Sequence, residues 1–182
     1  MTKNINRVVI LNNIRSSENV GSIFRTADGV GVSKIILCGY TPAPIDRFGR
    51  ENKKLTKASL GAEKSVKWEK EESLLSAIKN LKKHFVRSQL LRKSRFQNNF
   101  SNSWKIVAIE QDKKAIDYRK IKKSKLVSRN SNIAFVFGNE VEGLSKKDLE
   151  LCDVVAELPM LGQKESLNVS VCAGIVLYEF LK

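Results

Sequence analysis

Short, nearly unbroken apolar runs recur along the chain: RVVIL (Arg7 to Leu11), KIILCG (Lys34 to Gly39), KIVAIE (Lys105 to Glu110), IAFVFG (Ile133 to Gly138) and VVAELP (Val154 to Pro159). Continuous rather than alternating hydrophobicity is the mark of strands covered on both faces, as in a parallel sheet. A weaker strand signal lies at SVKWE. Between the runs the period changes. Val20, Ile23, Phe24 and Ala27 follow i, i+3, i+4, i+7, and Leu74, Leu75, Ile78 and Leu81 mark a second amphipathic helix. Strands alternating with helices predict an α/β fold, a parallel sheet flanked by helices. The chain closes on LGQKESLNVSVCAGIVLYEFLK, in which a polar, glycine-bearing loop leads into a helix apolar on nearly all sides.

Two stretches resist the pattern: residues 40–54 (YTPAPIDRFGRENKK), a Pro- and Gly-bearing loop, and residues 86–103, which are basic and rich in Asn and Ser. A second basic tract occupies residues 113–130. No internal repeat or domain boundary is evident, so residues 1–182 are expected to form a single domain carrying these two basic insertions or loops.

Charge sharpens this picture. The formal net charge is +14, and residues 79–129 hold 16 Lys/Arg against 3 Asp/Glu, whereas residues 130–182 hold 4 against 8. A field so concentrated suits a polyanion, because neutralising phosphates releases counterions; a solvated, lysine-rich face is the plain alternative. The three cysteines, Cys38, Cys152 and Cys172, are odd in number and set in apolar contexts, and His84 is the single histidine. Buried thiols are expected, with no disulfide framework and no metal site. No apolar run reaches the roughly 18 residues that span a bilayer, so a soluble, cytoplasmic protein with no membrane partner is expected.

Ligands of open α/β sheets bind beyond the carboxyl ends of the strands. The loop after the first strand lacks G-x-G-x-x-G, which argues against an ordinary dinucleotide site. It offers instead Asn19 and Arg25 on the helix that follows. Ser17 or Asn19 can cap that helix, and Arg25 can be either an exposed residue or a guanidinium placed to clamp a phosphate. In FGNEVEGLSKKD, Ser145 and Asp148 form a capping box, and Glu140 lies just past a strand end, able to orient an arginine or a ligand hydroxyl. In LPMLGQKESLN, capping explains Ser166 or Asn168 but not both.

These three segments, in this order, resemble the three motifs of the SpoU/TrmH family of RNA 2′-O-ribose methyltransferases, in the SPOUT superfamily. NVGSIFRTADGVGV is similar to the first, FGNEVEGLS to the second, and LPMLGQKESLNVSV with the following LYE to the third; the likeness runs from Val8 to Glu179. It implies a C-terminal trefoil knot, one of the rare exceptions to unknotted topology. It also implies a pocket for S-adenosyl-L-methionine lined by Gly138, Leu158, Met160, Ser166 and Leu167, with Ile109 or Glu110 at the neighbouring strand end. Arg25 is implied as the main catalytic residue, supported by Asn19, Glu140, Ser166 and Asn168, and the last helix as the seam of a homodimer. Leu158 stands where isoleucine is common and Cys172 where alanine is frequent, and neither departure touches that chemistry.

The implied function is methyl transfer to a ribose 2′-hydroxyl of tRNA or rRNA. The chain is expected to lack the added RNA-binding domain or C-terminal extension of some members, which tips the expectation slightly to tRNA. RNA binding then falls to Arg25 and to the basic tracts, through Arg87, Arg92, Lys93, Arg95, Lys122 and Lys123, with Phe96 or Phe100 able to stack on a base or anchor the loop. The competing readings are a non-catalytic RNA-binding protein on the same scaffold and a base-directed RNA methyltransferase.

Overall fold

The computed structural model describes residues 6–91, 104–121 and 132–181, with side chains up to residue 83 in the first segment. Seven strands form one parallel sheet: β1 (Arg7–Asn12), β2 (Lys34–Cys38), β3 (Trp68–Glu71), β4 (Trp104–Ile109), β5 (Ile116–Asp117), β6 (Asn132–Phe137) and β7 (Val154–Glu157). Their order is β3-β2-β1-β6-β4-β7-β5. The helices are α1 (Ser17–Val30), α2 (Lys53–Ser59), α3 (Ala62–Ser65), α4 (Leu74–Leu91), α5 (Tyr118–Ile121), α6 (Lys146–Glu150) and α7 (Val169–Leu181).

The central strands are covered on both faces, as their unbroken apolar runs require. Val9, Leu11, Ile35, Leu37, Phe135 and Phe137 point toward α1 and α7, while Val8, Ile10, Ile36, Ala134 and Val136 point toward α4. Successive residues of one strand therefore enter different cores. α4 meets the second core through Leu74, Ala77, Ile78 and Leu81, but Leu75, expected on the same face, is 43% exposed. Cys38 is buried and Cys152 and Cys172 half-buried; burial pushes each thiol up to about 12, so all three are protonated at neutral pH.

Two expectations need correction. The N-cap of α1 is Ser16 rather than Ser17 or Asn19: its Oγ accepts from the Asn19 N–H at 3.1 Å. The run at Val154 to Pro159 is not sheathed on both sides: Val154 and Ala156 are buried in the first core, whereas Val155 packs only partly against the second. α7, apolar on nearly all sides, is buried on one face only. Ala173, Val176 and Leu177 are buried, whereas Val171, Ile175 and Tyr178 are exposed. Arg7 Nη1 donates to the Leu181 carbonyl at 3.0 Å, and the Phe180 ring packs 5.2 Å from Phe135, fastening the end of α7 to the sheet.

Candidate active site

Parallel order brings the carboxyl ends of β1, β6, β4 and β7 to one side of the sheet, so the loops that leave them meet. The loops after β4, β6 and β7 line a cavity of about 480 Å³. Ile109, Glu110, Gly138, Glu140, Leu158, Met160, Ser166, Leu167 and Asn168 all line it.

Each wall is braced by backbone chemistry. After β6, Asn139 Oδ1 accepts from the N–H groups of Val141 and Glu142 at 2.7 and 2.9 Å, folding the loop into a turn. Gly143 completes it at φ +65°, and a Cβ there would sit 2.4 Å from Glu110 Oε2. Glycine is thus required both for the left-handed backbone and for the approach of the carboxylate. That carboxylate accepts from the Leu144 N–H at 2.7 Å, so Glu110, at the end of β4, holds the neighbouring loop in place. Across the cavity, Gln111 Nε2 donates to the Glu165 carbonyl. Ser145 and Asp148 form the expected capping box at α6, which gives Ser145 a structural task.

Glu140 gathers the first segment. Its Oε2 accepts from the Arg15 N–H at 2.8 Å, and its Oε1 from the Ser16 N–H at 3.1 Å and Asn19 Nδ2 at 2.9 Å. Partial burial raises the carboxyl's pKa, but the donors at Arg15, Asn19 and Ser16 outweigh it and hold the group below the usual carboxylate range. Asn19 Oδ1 in turn accepts from Asn168 Nδ2 at 3.1 Å. Asn168 also caps α7, its Oδ1 accepting from the Ser170 N–H at 2.8 Å and its carbonyl from the Cys172 N–H at 2.9 Å. Residues 19, 140 and 168, far apart in sequence, thus form a continuous chain of hydrogen bonds on the cavity rim.

Arg25 stands elsewhere. Six residues beyond Asn19, it lies about 9 Å further along α1 and about a third of a turn around it. It is exposed, in a shallow depression shared with Ser22, Thr26, Gly29 and Tyr178 of α7. Of the expected RNA contacts, Arg92, Lys93, Arg95, Lys122 and Lys123 lie outside the described residues, as do Phe96 and Phe100 and the side chain of Arg87. The backbone donors at Arg15 and Ser16 and the bond from Asn139 Nδ2 to the Tyr40 hydroxyl at 2.7 Å belong to the rim without any local sequence signal. Among the described residues no helix is long and apolar enough to cross a membrane, and no cluster of three or more His, Cys, Asp or Glu is arranged to hold a metal ion.

The family model described as the SpoU rRNA Methylase family matches residues 6–178. A Staphylococcus haemolyticus protein named for TrmH-family tRNA/rRNA methyltransferase activity is 31% identical over 175 residues, covering 96% of this chain and 58% of its own length. The chain thus spans under two thirds of that relative. Among solved structures, the AdoMet-bound rRNA methyltransferase of Sinorhizobium meliloti is 25% identical with a TM-score of 0.68, covering 98% of this chain and 56% of its own. AviRb, the SpoU methyltransferase of Streptomyces viridochromogenes, shares the fold with a TM-score of 0.71 at 23% identity, covering 97% of this chain and 58% of its own.

Proposed function

We propose, from the premise that this chain belongs to the SpoU rRNA methylase family, that it transfers a methyl group from S-adenosylmethionine to a ribose 2′-hydroxyl of tRNA or rRNA. The observation that carries this reading is the convergence of three strand-end loops on one cavity whose rim bears the linked side chains of Asn19, Glu140 and Asn168.

The cavity suits the cofactor. Ile109, Phe137, Leu158, Met160 and Leu167 offer apolar surface for an adenine, and the backbone ends of β4, β6 and β7 offer polar edges. Its glutamates at 110, 140, 142, 157 and 165, with no lysine or arginine among the described residues of the lining, favour a positively charged sulfonium. At Gly138 a Cβ would approach the Gly143 backbone to 2.7 Å, so the loop after β6 folds tightly against the strand end only with glycine there. S-adenosylmethionine, when bound, supplies an already activated methyl group.

The chain's task is then to hold a 2′-oxygen in line and to ease the loss of its proton. Glu140, ionised and saturated by three donors, is a positioning residue rather than a base: it fixes the first turn of α1 and the amide of Asn19. Asn19 aligns Asn168, and Ser166 and Asn168 face the reacting ribose. A guanidinium stays protonated in proteins, so Arg25 is not a free base. Its planar guanidinium suits a bidentate clamp on the adjoining phosphate, with the proton leaving to that phosphate or to water.

The separation of Arg25 from the cavity is consistent with a homodimer. The exposed residues Val171, Ile175 and Tyr178 form a stripe on α7, and the Tyr178 hydroxyl lies over Gly29 beside Arg25. Pairing of this stripe with a second copy carries Arg25 into the seam. The reading includes the SPOUT-type trefoil knot, a single domain, the basic tracts as RNA contacts and a cytoplasmic location.

The test is to incubate the protein with methyl-labelled cofactor and bulk tRNA or rRNA, digest the product and locate the label. Label on 2′-O-methylnucleosides is expected. Label on nucleobases overturns the ribose assignment, and absence of both transfer and S-adenosylhomocysteine binding favours an RNA-binding protein without catalysis.

A further inference from the structure

The loop that resisted assignment in the sequence is an ordered hairpin. Ile45 pairs with Glu51 in an antiparallel bridge, and the Asn52 N–H donates to the Pro44 carbonyl at 2.9 Å. Asp46 closes the tip: its Oδ1 accepts from the N–H groups of Phe48 and Arg50 at 2.8 and 2.9 Å, its Oδ2 from Arg50 Nε at 2.8 Å. So much local bonding builds a fixed platform rather than a slack connection.

What the platform displays is unusual for a surface turn. Phe48 is 66% exposed and belongs to neither core. The guanidinium carbons of Arg47 and Arg50 lie 4.7 and 5.1 Å from its ring centroid. Lys53, Lys54 and Lys57 follow on the exposed side of α2, so residues 40–57 carry five Lys/Arg against two Asp/Glu. Aromatic and guanidinium planes stack on unpaired bases whatever their identity, and the surrounding cations meet the phosphates.

Its anchorage aims it at the cavity. At one end the Tyr40 hydroxyl accepts from Asn139, which lines the cavity. At the other, Asn52 Nδ2 donates to Ser17 Oγ at 3.0 Å, and Lys54 lies 3.8 Å from Glu18, beside the Ser16 amide and the Asn19 side chain that bind Glu140. Both ends of the hairpin are thus fastened to the rim.

Resting on the RNA reading above, we infer that the 44–52 hairpin grips an unpaired stretch of the substrate next to the methylated ribose, with a base stacked on the Phe48 platform and phosphates met by Arg47 and the α2 lysines. Anisotropy with a fluorescent single-stranded RNA of about 15 nucleotides, and with the same strand made duplex, tests this on the full chain. Phe48→Ala is expected to weaken single-strand binding about tenfold or more, to affect the duplex far less, and to be rescued by Phe48→Trp. Arg47→Gln is expected to lower the salt slope of binding by about 1. S-adenosylhomocysteine binding, followed by calorimetry, stays unchanged in each variant. Equal losses on single strand and duplex, or affinities and slopes that match the wild type, overturn the hairpin's role while leaving methyl transfer standing. A wild type that binds and methylates no RNA overturns the underlying function instead.

Discussion

Glu140 shows how one side chain can organise a site without performing its chemistry. Three donors converge on its carboxylate, and through Asn19 the geometry reaches Asn168 on a different element. Hydrogen bonds to a charged acceptor are the stronger kind, though partial exposure discounts them, so Glu140→Gln is expected to cost about 1 kcal/mol at neutral pH. The sign of the pH dependence follows from the lowered pKa. In the unfolded chain the group titrates near 4.5, and in the fold it stays ionised to lower pH. Its contribution is therefore complete above about pH 4.5 and is lost as pH falls through the folded-state value. Denaturant unfolding of both proteins across this range measures the gap, which should be flat toward neutrality and narrow in acid. A gap that stays constant into strong acid would mean that the amides do not depend on the carboxylate's charge.

Among the elements, α1 bears on both the site and the hairpin, because its first turn binds Glu140 and its flank carries α2. Gly21 makes that packing possible. A Cβ there would lie 2.3 Å from the Leu55 carbonyl oxygen and 2.8 Å from Ala58 Cβ, so backbone rather than a pliable side chain blocks the space. Alanine in a helix ordinarily gains up to about 1 kcal/mol over glycine, while overpacking costs about 1–3 kcal/mol. The contact with backbone decides between them: Gly21→Ala is expected to destabilise the protein by about 1–2 kcal/mol in denaturant unfolding, and a stabilised variant would contradict the packing. The same elements show what a sequence discloses. β1, β2, β4 and β6 were legible because burial on both faces leaves unbroken apolar runs, and the Ser145 cap because its partner is three residues away. Leu75 obeyed the helical period yet is exposed, since periodicity cannot say how wide a face the sheet covers. β5 is too short to leave a pattern. The bonds that join Glu140 to Arg15, Ser16 and Asn19 span more than 120 positions, so motif order named the loops but only the fold shows how they lock.

At the scale of the whole molecule, the proposed dimer accounts for two otherwise separate facts: an apolar stripe on α7 and an arginine outside the cavity. In a two-fold interface every residue counts twice, so Val171, Ile175 and Tyr178 supply six side chains. Full burial of an apolar side chain is worth about 1.5–3 kcal/mol, and these already lose part of their area to the fold, so their combined gain is at most about 10 kcal/mol. Association costs about 4–15 kcal/mol, which leaves the dimer without the surplus to tolerate two buried charges at its centre. Ile175→Asp is therefore expected to sediment as a monomer while keeping its thermal unfolding close to that of the parent, since Ala173, Val176 and Leu177 still hold α7 to the sheet. Turnover should fall in step with the dimer fraction, because Arg25 adjoins the same stripe. A fully active monomer would separate the two facts again and require Arg25 to act from the depression where it stands within one chain.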